Sequence, residues 1–217
     1  GGAGDDTILG EGGKDRLYDL RGDDTVYGGD DDDYVRVGGG VDSYYGGAGS
    51  DYLSYLDSTG GVHVNLATNV ISHGWANNDV INGFEHVSGS QTGDDWLYGT
   101  SGDNRLRGYG GDDKLYGGAG VDKIYGGDGN DYIRATDGGT LAADTFYGGS
   151  GNDDYLSYWN SSQGINLNLD TKAANGAAAG DVFSGIESVG GSNFAHDTIT
   201  GSDVANRLKG HGGTDRL

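Results

Sequence analysis

Aspartate recurs every nine residues along much of the chain. Asp6, Asp15, Asp24, Asp33, Asp42 and Asp51 make a first series. Asp95, Asp113, Asp122, Asp131, Asp144 and Asp153 belong to a second, with Asn104 in the same role, and Asp197, Asn206 and Asp215 to a third. Most stand at the end of a glycine-rich stretch. Carboxylates and the exposed carbonyls of a glycine turn are hard oxygen donors. An irregular, all-protein frame of such donors suits calcium better than magnesium. Adjacent pairs such as Asp5–Asp6, Asp23–Asp24, Asp94–Asp95 and Asp112–Asp113 have the composition of an acid/base dyad. Their repetition argues for ligation, because a catalytic dyad occurs once and a ligand series recurs.

The elements that must position these residues follow from the repeat, G-G-x-G-x-D-x-U-x with U large and apolar. Six copies run without a gap from Gly1 to Ser54: GGAGDDTIL, GEGGKDRLY, DLRGDDTVY, GGDDDDYVR, VGGGVDSYY and GGAGSDYLS. A second block from Ser90 to Arg134 ends in four extra residues, 135–138, a looser copy GTLAADTFY, and GGSGNDDYL with one extra residue near Asp154. SNFAHDTIT, GSDVANRLK and GHGGTDRL close the chain. Glycines at positions one, two and four permit positive φ and a tight turn. Positions seven to nine make a short strand whose middle residue points inward while its neighbours point out. One nonad buries one side chain, so copies must stack. The pattern predicts an all-β chain, a parallel β-roll solenoid with two short strands per 18-residue coil. Turns then stack along two edges: Asp6, Asp24, Asp42 and Asp15, Asp33, Asp51, followed by Asp95, Asp113, Asp131, Asp153 and Asn104, Asp122, Asp144. Cations held between successive turns, with backbone carbonyls of the adjoining turns, would number on the order of ten. Asn104 and Asn206 keep an oxygen but lose a charge, which predicts weaker sites.

Composition agrees. The 217 residues include 47 glycines and no proline, cysteine or methionine, and the formal charge is -21. Collagen is excluded, since it needs glycine at every third position with abundant proline. Disulfides, thiolate nucleophiles and cysteine-bound zinc are excluded too. The charge disfavours nucleic acid and anionic membranes and opposes compaction unless positive charge joins the fold. No apolar run is long enough to span a membrane. The first residues already lie inside a repeat and the last stop short of completing one, so the chain reads as a piece of a longer protein.

Two longer segments interrupt the nonads. Tyr52 to Ser90 recurs as Tyr155 to Ser192. In each, alternating apolar residues (Val62, Val64, Leu66; Ile165, Leu167, Leu169) predict a half-buried strand. A second apolar patch follows (Val80, Ile81, Phe84, Val87; Val182, Phe183, Ile186, Val189). About two further coils with longer turns are expected in each, with polar excursions at 72–79 and 172–181. The organisation is thus read as roll (1–54), irregular coils continuing it (55–89), roll (90–157), irregular coils (158–191) and a truncated roll (192–217).

Basic residues favour positions seven and nine, and tyrosine favours nine. Stacking predicts outward ladders, Tyr98–Tyr116–Arg134 and Arg107–Tyr125–Tyr147, which suit lateral packing or a platform for an acidic polysaccharide. His63, His73, His86, His196 and His211 show no zinc spacing, and His63 and His86 are expected to face solvent.

The nonad resembles the RTX, or hemolysin-type, calcium-binding repeat family. The longer segments, with their G-[IF]-E core, resemble elements in repeat modules of secreted bacterial proteins such as alginate epimerases. The resemblance implies a parallel β-roll, hosts exported by type I secretion, and folding in calcium outside the cell or at the bacterial surface. By it, the turn glycines and the aspartates named above are the calcium positions. Glu11 and Leu20 at position two, Asp31 at four, and Asp19 and Val37 at one depart from the pattern. Three roles stay open: a non-enzymatic section that folds on calcium and stabilises or helps secrete a larger exoprotein, a polysaccharide-binding module of a secreted enzyme, or a segment of an adhesin or surface layer that meets neighbouring copies of itself.

Overall fold

The computed structural model describes residues 1–135 and 142–217. The extra residues at 135–138 and the opening of the loose copy at 139–147 lie largely outside them. Strands form where positions seven to nine place them, as at Thr7–Leu9, Arg16–Tyr18 and Tyr34–Arg36. In some coils the ladder continues into the next turn, as in Thr25–Asp30, Arg105–Gly110 and Lys123–Asp128.

Consecutive strands alternate between two faces. One face carries eight parallel strands in the order Arg16–Tyr18, Tyr34–Arg36, Tyr52–Ser54, His86–Ser88, Arg105–Gly110, Lys123–Asp128, Thr145–Ser150 and Val182–Ser184. Opposite it lie Thr7–Leu9, Thr25–Asp30, Ser43–Ala48 and Val80–Asn82, and then a second long sheet from His63–Asn65 through Trp96–Tyr98, Lys114–Tyr116, Tyr132–Arg134, Tyr155–Ser157 and Ser188–Gly190 to Arg207–Lys209. Within each of the two long sheets the register puts position eight in file. Val35, Leu53, Val87, Leu106, Ile124 and Phe146 form one column. Leu97, Leu115, Ile133, Leu156 and Val189 form a second, and Val26, Tyr44 and Ile81 a shorter third. All of these are fully buried. The core is therefore two side chains thick and as long as the roll.

The longer segments depart from the expected pair of extra coils. In each, only one coil continues the stack. Val80–Asn82 lies on Ser43–Ala48, and His86–Ser88 lies on Tyr52–Ser54. The preceding strand, His63–Asn65, runs ahead to pair with Trp96–Tyr98, then doubles back as the antiparallel Val70–Ser72. The second copy repeats the move: Ile165–Asn168 pairs with Thr198–Thr200 and returns as Ala173–Gly176. Asn69 (φ 55°) and Lys172 (φ 60°) take the left-handed conformation that closes these hairpins. The Asn65 and Asn168 side chains accept from Thr68 and Thr171 N–H groups within the turns. Among the described residues no helix is long and apolar enough to cross a membrane.

Leu115→Ala should cost about 2–5 kcal/mol in denaturant unfolding of the calcium-loaded chain, because the single-file column leaves no neighbour to fill the void. Lys123→Ala on the outer face should stay within about 0.5 kcal/mol.

Candidate metal centre

The position-six aspartates do two jobs with two oxygens. One oxygen accepts the backbone N–H of the position-six residue in the coil before. Asp33 Oδ1 takes Asp15 N–H at 2.9 Å and Asp51 Oδ1 takes Asp33 N–H at 2.8 Å. On the other edge Asp24 takes Asp6, and Asp42 takes Asp24 at 2.8 Å. The second block repeats the ladder through Asp95, Asp113 and Asp131, and through Asn104, Asp122 and Asp144. Asp197 N–H donates to Asp215 at 3.0 Å.

The other oxygen is mostly bare. Oδ2 of Asp15, Asp24, Asp33, Asp51, Asp113, Asp131 and Asp154 is buried and has no hydrogen-bond partner. All but Asp24, whose repeat carries Asp19 at position one, point into a space kept open by the position-one glycine of their own repeat. A Cβ on Gly28 would lie 2.5 Å from Asp33 Oδ2 and would overlap the Gly46 carbonyl oxygen of the next coil. A Cβ on Gly126 would overlap Asp131 Oδ2 and lie 2.5 Å from Gly148 O. Bare carboxylate and carbonyl oxygens thus converge on one cradle at each of these glycine turns. Buried acceptors without donors are costly, and this donor set fits a hard divalent cation. Burial is the main cause that pushes the carboxyls up, Asp113 to about 8, Asp131 to about 7, and Asp51 and Asp154 to about 6. Neighbouring carboxylates add to the shift.

The ladder corrects the sequence reading at one position. Asp154, not Asp153, stands in file: its Oδ1 accepts Asp131 N–H at 2.9 Å. The extra residue is absorbed earlier in the turn, where Asn152 and Asp153 N–H groups share Asn130 Oδ1. Asp153 turns outward to pair with Arg207 at 2.9 Å. Four members of the file were not foreseen. Asp79 and Asp181 accept from Asp42 and Asp144, and Glu85 and Glu187 accept from Asp51 and Asp154. Both asparagines now have a reason. Asn104 Nδ2 donates to Glu85 O, and Asn206 Nδ2 to Glu187 O, each 19 residues back. A carboxylate has no proton for that bond. The duplicated Glu-to-Asn spacing was the available signal. Asp95 and Asp197 differ from the bare aspartates, as does Asp6, since the Ser90, Ser192 and Gly2 N–H groups already engage their Oδ2.

The paired carboxylates divide their labour. Position five points to solvent and accepts from the following coil, as Asp5 does from Asp23, Asp94 from Asp112 and Asp103 from Val121. Position six points inward and accepts from the preceding one. Glu11 and Asp31 occupy their glycine positions with φ of 71° and 75°, a left-handed strain that a side chain makes costly. His63 and His86, expected to face solvent, are half-buried. His63 stacks on Trp96 at 4.5 Å, and His86 Nδ1 accepts Arg105 N–H at 3.0 Å. Both tyrosine–arginine ladders are formed, with Tyr98 on Tyr116 at 4.3 Å and Tyr125 on Tyr147 at 4.8 Å.

Gly126→Ala should weaken calcium binding at its turn, whereas Gly102→Ala, whose Cβ would meet nothing nearer than 3.8 Å, should leave calorimetric titrations unchanged. The pH response follows from the raised carboxyl values. Relative to an unfolded value near 4, protons favour the metal-free fold. Its stability is greatest below about pH 4 and is lost as pH rises through about 6 to 8. Cations need the ionised form, so apparent calcium affinity should fall between about pH 8 and pH 6; an affinity flat across that window would contradict the burial of these groups.

Comparison with curated proteins returns no match. The family profile described as the RTX calcium-binding nonapeptide repeat matches residues 1–18, 18–53, 91–124, 110–140, 125–156 and 193–217, together well over half of the chain. Its matches cover the cradle-bearing turns and leave out the two hairpin segments. With the roll, the file of inward carboxylates and the glycine cradles in place, the chain belongs to the RTX calcium-binding nonapeptide repeat family.

Proposed function

We propose that this calcium-binding module folds when calcium binds outside the cell, and that it stabilises a larger exoprotein and assists its secretion. The observation that carries the reading is the file of buried, unpartnered Oδ2 atoms, all but that of Asp24 facing a glycine cradle and a carbonyl of the next coil. The proposed ligands are the in-file carboxylates, with Asp154 in place of Asp153, and Asp79 and Asp181 added. They would hold on the order of ten ions. Calcium supplies positive charge and accepts six to eight oxygens. The residues supply the rest: Oδ1 fixes the spacing of coils, Oδ2 and the position-one carbonyl present the charge-binding corner, and glycine leaves the room. In a compartment poor in calcium the same carboxylates repel and keep the chain extended, the state that passage through a secretion channel requires. Binding energy then becomes folding energy. Circular dichroism across a calcium titration should show a disordered chain in chelator and strand at millimolar calcium. A strand-rich spectrum indifferent to chelator would overturn the reading.

One observation favours a second reading, an acidic-polysaccharide surface. The outward residues of Ser188–Gly190 are small, and a Cβ on Gly190 would overlap the Tyr155 hydroxyl. This opens a groove of about 360 Å³ lined by Tyr132, Tyr155 and Trp159 with Arg134, Arg207, Lys209 and His211. Arg207 lies 5.1 Å from the centre of the Tyr155 ring. Cations over rings suit a carboxylated sugar, whose face stacks and whose charge pairs. An oligouronate should bind the calcium-loaded chain and lose about tenfold in affinity with Trp159→Ala or Lys209→Ala; no binding by the parent chain would dismiss this surface.

A further inference from the structure

Position one of the repeat is glycine at most turns, but on the edge that carries Asp24 and Asp42 it is Asp19 and Val37. Their side chains fill the cradles that glycine leaves open elsewhere. Val37 brings methyl groups. Asp19 brings a third carboxylate into the interior, where it is 3% exposed. Its Oδ2 accepts from the Gly38 N–H at 3.2 Å and from the Tyr44 hydroxyl. That hydroxyl also lies 2.9 Å from Asp42 Oδ2, and its single proton can serve only one of the two.

One ligand atom each from Asp19, Asp24 and Asp42 lies within 4.8 Å of the others. Bonds of about 2.3–2.6 Å to a central calcium-sized ion would place oxygens up to about 5 Å apart, so the spacing fits. Independent of the clustering, Asp19 Oδ1 and Asp24 Oδ2 have no partner although both side chains are at least 97% buried. The wholly buried Tyr55 hydroxyl beyond them, in the field of Asp79 and Asp42, has none either. Three carboxylates and one shared hydroxyl proton leave the pocket short of positive charge.

The chain contains its own comparison. In the second long copy Thr145–Ser150 stands where Ser43–Ala48 stands in the first, and Asp122 and Asp144 stand where Asp24 and Asp42 do. There the residue matching Tyr44 is Phe146 and the residue matching Asp19 is Gly117. The carboxylate and the hydroxyl are present together in one copy and absent together from the other, as expected if they form one unit.

We propose that Asp19, Asp24 and Asp42, with the Tyr44 hydroxyl, form an interior site for a calcium-sized divalent cation, unlike the repeat turns in drawing a third carboxylate from position one. The proposal rests on the calcium reading above. It is tested by anomalous diffraction at long wavelength from crystals of the whole chain grown in calcium. The expected result is a peak in contact with Asp19, Asp24 and Asp42, with loss of the Asp19 contact in Asp19→Gly, which restores the residue of the repeat. Wild-type crystals decide the matter even if the variant does not crystallise. Peaks at other turns with none touching Asp19, the pattern expected if Asp19 and Asp24 share a proton, overturn this inference and leave the general one. No peak at any turn overturns both.

Discussion

Like charges stacked at the spacing of β-strands govern this molecule. Coils lie about 4.8 Å apart, so an ionised file of carboxylates meets repulsion of about 3 kcal/mol per neighbouring pair at an effective dielectric near 20. One nonad buries a single side chain in return, worth about 1.5–3 kcal/mol. The two are of similar size, and the conformational entropy of nine residues still opposes folding. A roll two side chains thick cannot outweigh both with its core. The backbone bonds to Oδ1 hold the carboxylates in file, so the file cannot relax by turning outward. Positive charge in the cradles is the remaining way to make the same geometry favourable.

Other features follow from that arrangement. Position one is glycine at most turns because a Cβ would occupy the corner where Oδ2 and the next carbonyl meet. The carboxylates of position five face solvent and run the opposite way, which spreads acceptors along both sides of each turn without crowding the interior. The longer segments supply different ends to the file. Glu85 and Glu187 reach one carbon further than aspartate to accept the Asp51 and Asp154 N–H groups, and an asparagine amide restarts the stack after each. The antiparallel hairpins interposed there divide the strands of the roll into separate sheets.

Much of this was legible in the sequence because a nine-residue period fixes both strand alternation and turn chemistry. The two edges, the inward position eight, the outward tyrosine–arginine ladders and the calcium chemistry follow from spacing alone. Three things did not. Asp153 and Asp154 are chemically identical, and only the shared Asn130 oxygen shows on which side of the turn the extra residue is taken up. The strand at His63–Asn65 alternates as foreseen, yet its partner is set by long-range pairing with Trp96–Tyr98, which periodicity does not encode. Asp79 and Asp181 lie outside the glycine-rich nonads, so their place in the file appears only once Val80 and Val182 are stacked on Ser43 and Thr145.

The central claim is that bare inward carboxylates, rather than the thin core, decide whether the roll exists. Infrared difference spectroscopy follows carboxylate and amide bands in one sample as calcium is added. The account predicts that the aspartate carboxylate stretch shifts in step with the growth of the β-sheet amide band, at the same midpoint. A sheet band already complete before the carboxylates respond would contradict it.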